Sequence, residues 1–202
     1  MKYSYHEVLN PFPAEDKGFI PSAEECFKIW DKYEMPQNIK EHSLMVGEVA
    51  AFIARLGKSR GFNVNVDLIK AGALLHDLGK FYSLKYGGSH SQIGAAWAME
   101  ETKNPAIAQC IIHHVFWPAE IDLKKFFAPL VVLYADKRVR HSKIVSLDER
   151  YEDILQRYGS TPKRKELIMM SYNKVKKIEK RIFKELGVDL NANSIDRWRM
   201  VS

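Results

Sequence analysis

Between Ser22 and Gly187 the sequence repeatedly couples a helix-capping residue to an apolar stripe of helical period and then to a stop, and this restricts the fold most. Ser22 with Glu25 forms a capping box ahead of Cys26, Ile29, Trp30 and Tyr33. Asn38, with Glu41 at its third position, is expected to cap a second helix whose stripe of His42, Val46, Val49, Ile53 and Leu56 ends at Gly57. Asn65 opens a third helix, Val66 to Leu78, apolar enough to be buried on several sides and stopped by Gly79. Ser89 with Gln92 starts a fourth through Ile93, Ala96, Trp97 and Glu100. Asn104-Pro105 sets a cap before a first-turn proline and launches Ile107, Ile111 and His114. Pro129 marks the first turn of a helix carrying Leu130, Val131, Tyr134 and Asp136. Ser146 with Glu149 is another capping box, leading to Tyr151, Ile154, Leu155 and Tyr158. Thr161-Pro162 begins a long helix with a stripe of Leu167, Met170, Lys174, Val175, Ile178, Ile182 and Leu186, closed by Gly187. No strand-length window alternates with period two, so the expected fold is all-α. One helical-bundle domain is expected over 22–187, after an irregular arm at 1–21 and before a tail at 188–202.

A chain of 202 residues can bury one substantial core. It contains no unbroken apolar run of roughly 18 residues, so no membrane span is expected. The segment Met1-Lys2-Tyr3-Ser4-Tyr5-His6-Glu7 lacks the apolar stretch of a secretory signal, which points to the cytoplasm. Cys26 and Cys110 both fall in apolar helical patterns and read as buried free thiols. The formal net charge of +6 suits a phosphate ester, nucleotide or RNA, and equally suits a solvated basic face.

Three inward-facing polar groups stand out. His42 lies on the apolar stripe of its helix; His76-Asp77 closes a buried helix; Asp136 lies on the apolar helix from Leu130 to Val139. An ionised carboxylate buried alone costs several kcal/mol, roughly. A single shared cation would account for all three, whereas each alone also reads as a hydrogen-bonded core residue. Gly79 turns the chain so that Lys80 can aim back toward the same spot.

In order and spacing, His42, His76-Asp77 and Asp136 resemble the H…HD…D signature of the HD superfamily of metal-dependent phosphohydrolases, and His76-Asp77-Leu78-Gly79-Lys80 resembles its HD-[IL]-GK form. The resemblance implies an HD-domain helical bundle and a divalent transition metal. His90 and His113 occupy the positions that hold histidines in the two-metal subset. The resemblance therefore implies one ion on His42, His76, Asp77 and Asp136, and a second on His90, His113 and the bridging Asp77. His113 is taken over His114 because the family's single histidine aligns with the first of the pair.

A nitrogen-rich set suits iron or manganese, with zinc, nickel or cobalt possible, better than magnesium. Such ions activate water to hydroxide for attack on phosphorus. Asp77 and Lys80 are the candidate catalytic residues, and Lys80, His114, Arg138 and Arg140 the candidate substrate contacts. Charges such as Lys137, Arg138, Arg140 and His141 also complement a helix dipole. The pattern is similar to bacterial hydrolases of symmetrical dinucleoside tetraphosphates. It departs from them after Asp136, in Lys137-Arg138-Val139-Arg140-His141, so the expected substrate stays at a small nucleotide-like phosphate ester or anhydride. The GYP element of cyclic-dinucleotide phosphodiesterases is absent, since Val115-Phe116-Trp117-Pro118 follows the histidine pair. Two alternatives are a di-iron oxygenase on the same scaffold and an RNA-binding module using the basic helix from Lys163.

Overall fold

The computed structural model describes residues 11–187; residues 1–10 of the expected arm and the whole expected tail at 188–202 lie outside the described residues. The described chain is all-α apart from one minimal hairpin. Its elements are α1 (Ala23–Lys32), α2 (Gln37–Ser59), α3 (Val66–Leu75), α4 (Lys80–Tyr86), α5 (His90–Thr102), α6 (Pro105–His113), α7 (Leu123–Lys137), β1 (Val139–Arg140), β2 (Lys143–Ile144), α8 (Leu147–Tyr158) and α9 (Pro162–Leu186).

Five of the caps read from the sequence are caps the chain uses, while Ser89 stands at the N-cap of α5 without a side-chain cap bond. Ser22 and Ser146 each form a complete capping box with Glu25 and Glu149. Asn65, Asn104 and Thr161 each accept backbone N–H groups at their helix starts. Asn38 does not cap: Pro36 precedes the first turn of α2, and Asn38 lies inside the helix. Pro129 sits just past a kink at Phe126, where φ is −128° and ψ 37°, so it does occupy the first turn of a helical segment. Asp122 caps the shorter segment before that kink.

Helices α2, α3, α6 and α7 enclose the core, with Val46, Ile53, Leu75, Ile107, Ile111, Leu130 and Val131 fully buried. At Gly57 a Cβ would stand 2.3 Å from the Phe127 ring, so any larger residue would push that ring aside where α2 and α7 meet. The Trp30 Nε1–H donates to the Leu74 carbonyl at 2.9 Å, fastening α1 to the end of α3. Residues 11–21 run as a strap across the N-terminal ends of α3 and α6. In that strap, Asp16 accepts from Asn65 Nδ2 at 3.0 Å and from Asn104 Nδ2 at 2.9 Å, so one carboxylate holds two helix caps.

Three expectations change. The third helix stops at Leu75, three residues earlier than expected; His76–Gly79 form a turn, and α4 begins at once. Residues Val139–Arg140 pair antiparallel with Lys143–Ile144, strands too short to show any alternation. The stripe of α9 is buried only from Val175 onward, while Leu167 and Met170 are exposed. Among the described residues no helix is long and apolar enough to cross a membrane.

Cys26 and Cys110 are both buried free thiols, and burial pushes each up to about 12. The native protein should therefore be inert to a thiol-specific disulfide reagent near pH 8 and react fully once denatured. Rapid reaction of either cysteine in the folded protein would show that its helix opens.

Candidate metal centre

Two helix ends build the centre. The last carbonyls of an α-helix have no amide partner within the helix. At the end of α3, the Ala73 carbonyl accepts from His76 Nδ1 at 2.7 Å. At the end of α6, the Ile111 carbonyl accepts from His114 Nδ1 at 2.6 Å. Each histidine is the C-cap residue of its helix and reaches back three residues. His42, inside α2, donates from Nδ1 to the His141 carbonyl at 2.9 Å, in the hairpin turn. A carbonyl only accepts, so each Nδ1 carries the proton and each Nε2 is left to face inward.

The three Nε2 atoms meet two carboxylates. His42 Nε2 lies 3.1 Å from Asp136 Oδ1, and His76 Nε2 lies 3.5 Å from Asp77 Oδ2 and 3.8 Å from Asp136 Oδ1. His114 Nε2 lies 3.6 Å from Asp77 Oδ1, with His90 Nε2 3.5 Å from the same oxygen. The two oxygens of Asp77 thus face different histidines. Gly79 makes the approach of His90 possible, because a Cβ there would stand 2.5 Å from the His90 carbonyl and 2.6 Å from the Gly94 amide.

Cations balance the carboxylates. Lys80 donates to Asp77 Oδ2 at 2.7 Å. Lys137 donates to Asp136 Oδ2 at 2.5 Å and to the His114 carbonyl at 3.4 Å. Arg150 of α8 brings Nη2 within 3.8 Å of Asp136 Oδ1. Burial alone would raise both aspartates. For Asp77 the charges of His76 and Lys80 prevail, and for Asp136 those of Lys137 and His42 with His76, holding both well below the usual carboxylate range. Burial also works against a charged His76, but Asp77 and Asp136 outweigh it and raise its pKa. His114 is lowered by burial, and His90 is pushed down to about 4 by burial and then by His114.

These observations fit a metal. His76 Nε2 is sealed from solvent and makes no hydrogen bond. Asp77 and Asp136 beside it favour a positive charge there, which a metal ion bound by the neutral ring can supply. His90 and His114 bring two Nε2 atoms to 3.0 Å, and burial favours the neutral form of both rings, the form that ligation requires. His42, His76 and Asp136 offer ligand atoms within 4.8 Å of one another, as do His76, Asp77 and His114.

Some expected site residues are not brought here. His113 was expected as a ligand, but its ring packs against Trp117 at 5.2 Å, and His114 stands in its place. The reason is register: Ile107, Cys110, Ile111 and His114 share one buried face of α6, and His113 is one residue off it. Arg138, expected to contact substrate, is buried and turned away, donating to the Val145 carbonyl at 2.8 Å and the Tyr134 hydroxyl at 2.5 Å. Arg140 is half-buried on β1, where its charge acts on Glu149. The sequence marks Lys137 only as part of a basic cluster and gives no sign of Arg150. Its helix is polar outside a narrow stripe, so nothing local marks that position.

The family profile described as HD domain matches residues 39–186. An uncharacterised protein of Methanocaldococcus jannaschii is 28% identical over 148 residues, covering 67% of this chain and 86% of that protein. Ribonuclease Y of Streptococcus agalactiae is 35% identical over 79 residues, 39% of this chain and 14% of the relative. Ribonuclease Y of Opitutus terrae is 30% identical over 106 residues, 52% of this chain and 19% of the relative. No solved structure matches.

Replacing His114 with alanine should weaken transition-metal binding at least about tenfold, while His113→Ala leaves it unchanged. Elemental analysis after dialysis against a weak chelator reads this directly. The reverse ranking would return the ligand to position 113.

Proposed function

Because this chain belongs to the HD domain family, we propose that it is a metal-dependent phosphohydrolase cleaving an ester or anhydride bond of a small nucleotide-like phosphate. The observation that carries this reading is the charge around the cluster. Lys80, Lys137, Arg150 and Arg157 stand against Asp77, Asp136 and Asp153, so the linked cluster keeps a surplus of one positive charge before any metal enters. That surplus attracts a phosphate and has no use for a neutral polyol, which speaks against the oxygenase alternative.

His42, His76, Asp77 and Asp136 would hold one ion, and His90, His114 and Asp77 a second. The nitrogen-rich donors favour iron or manganese. Bound there, the ions supply Lewis acidity toward phosphoryl oxygens and make water acidic enough to furnish hydroxide near neutral pH. Asp77 orients the centre, since its Oδ1 faces His90 and His114 while its Oδ2 faces His76 and Lys80.

Lys80 is the fixed charge for the phosphoryl group. Burial works against its ammonium, but Asp77 and Asp136 outweigh burial and raise its pKa, which favours the charged form. Its side chain is 31% exposed, within reach of an entering ligand. Lys137 is far more enclosed, and its bonds to Asp136 and the His114 carbonyl make it a positioning group.

The likeness to relatives named Ribonuclease Y favours including a phosphodiester among the substrates tested. The chain spans less than a fifth of their length, so their activity as whole proteins is not carried over.

Manganese- or iron-loaded protein should release product from at least one of nucleoside polyphosphates, dinucleoside polyphosphates and short RNA. Oxygen uptake with a polyol and no phosphate-bond cleavage would sink the proposal. Asp77→Ala should abolish turnover and deplete metal. Lys80→Ala should keep its metal yet slow turnover by about 10²–10³-fold. Loss of metal from the lysine variant would mean that Lys80 supports the ligands instead.

A further inference from the structure

The cations at the cluster differ in what their donors already do. Lys80 and Lys137 each direct their ammonium group onto a carboxylate. Arg150 engages only one corner of its guanidinium: Nη1 donates to Asp153 Oδ2 at 3.2 Å. Its Nη2 stands 3.8 Å from Asp136 Oδ1, beyond hydrogen-bond reach, and its Nε is buried with no partner. In a planar guanidinium, Nε and Nη2 share one edge, and that edge matches two oxygens of a phosphoryl group. A bidentate donor edge beside the candidate metal ligands is therefore without a hydrogen-bond partner.

The placement is built from both sides. Asp153 uses Oδ2 for Arg150 and Oδ1 for Arg157 Nε at 2.9 Å. Arg157 Nη2 meets His141 Nε2 at 3.0 Å, and the His141 carbonyl accepts from His42 Nδ1. His42 in turn faces Asp136, the carboxylate next to Arg150. The contacts close a ring through α2, the hairpin turn, α8 and α7. A surface ion pair would need no such support.

We propose that Arg150 is a substrate-binding residue whose Nε/Nη2 edge grips two oxygens of the phosphoryl group, and that Asp153 is its positioning residue. The inference rests on the phosphohydrolase reading above. Asp153 holds the Nη1 corner and so leaves the unpartnered edge facing the cluster. Lysine cannot replace this arrangement, because an ammonium lacks the planar pair of donors.

The test uses manganese-reconstituted full-length protein with inorganic phosphate as the probe, titrated calorimetrically, and metal content measured on the same samples. Arg150→Gln should weaken phosphate binding about 10- to 100-fold with metal content unchanged. Arg150→Lys should remain at least about fivefold weaker than the parent, since the bidentate geometry is lost. Asp153→Asn should show an intermediate loss of about three- to tenfold.

Phosphate affinity within about twofold of the parent in Arg150→Gln, with metal retained, overturns the inference. A fall in affinity that only follows loss of metal also overturns it, and makes Arg150 a structural countercharge to Asp136. Where Arg150→Gln does not fold, Asp153→Asn decides: unchanged phosphate affinity at full metal content removes the clamp. A metal-loaded parent that binds no phosphate and hydrolyses no phosphate substrate defeats the phosphohydrolase reading and this inference with it. A parent that binds phosphate alongside an unaffected Arg150→Gln defeats the inference alone.

Discussion

An α-helix ends on carbonyls that no later amide of the same helix reaches, and here those carbonyls orient the chemistry. Ala73 and Ile111 each fix an imidazole by its Nδ1, three residues downstream, and the hairpin turn does the same for His42. Three rings thereby lose rotational freedom before any ligand arrives, and each presents the same nitrogen. A site assembled from histidines on solvated loops would have to order them on binding, at a cost in side-chain entropy. Here folding has already met that cost, and it has met it while satisfying backbone groups that needed partners in any case.

The carboxylates impose a second condition. Asp77 and Asp136 are almost fully enclosed among the helices of an otherwise apolar core. Asp136 also lies in the last turn of α7, where the helix dipole opposes a negative charge. Neither would be tolerated alone, and removing one partner from a buried ion pair typically costs about 3–5 kcal/mol. The nearest cations follow directly in sequence: Lys80 is three residues after Asp77, and Lys137 is adjacent to Asp136. Charge balance in the centre is thus largely local, and the long-range Arg150 adds to it.

Much of this was legible in the sequence, because each feature carried a cost that only one arrangement removes. The Ser22 and Ser146 capping boxes and the Asn65, Asn104 and Thr161 caps follow from donors that need acceptors. His42, His76, Asp77 and Asp136 were visible as polar groups on apolar stripes. Other features left no such trace. Helix α4 has no buried residue, so no stripe announces it. The family pattern points to His113, whereas the spacing from Ile107 and Ile111 puts His114 on the buried face. Arg138 looked like part of a basic patch, yet its partners Tyr134, Val145 and Glu179 come from three separate segments. Arg150 meets its site only once α8 has folded back, a tertiary fact with no local sign.

The strap residue Asp16 gives the two histidine-bearing helices a common origin. It holds the cap of α3 through Asn65 and the cap of α6 through Asn104, and the opposite ends of those helices deliver His76 and His114 to the same centre. The helices run side by side for 10 and 9 residues, so they act as two rulers laid from one zero mark. At about 1.5 Å of rise per residue, their tips differ by little more than the length of one bond. Adding or deleting one residue within either helix would slide its imidazole along the axis and swing it about 100° around it. Evolution can vary the few exposed positions of α3 and α6, but it cannot change the length of either helix alone without losing this register.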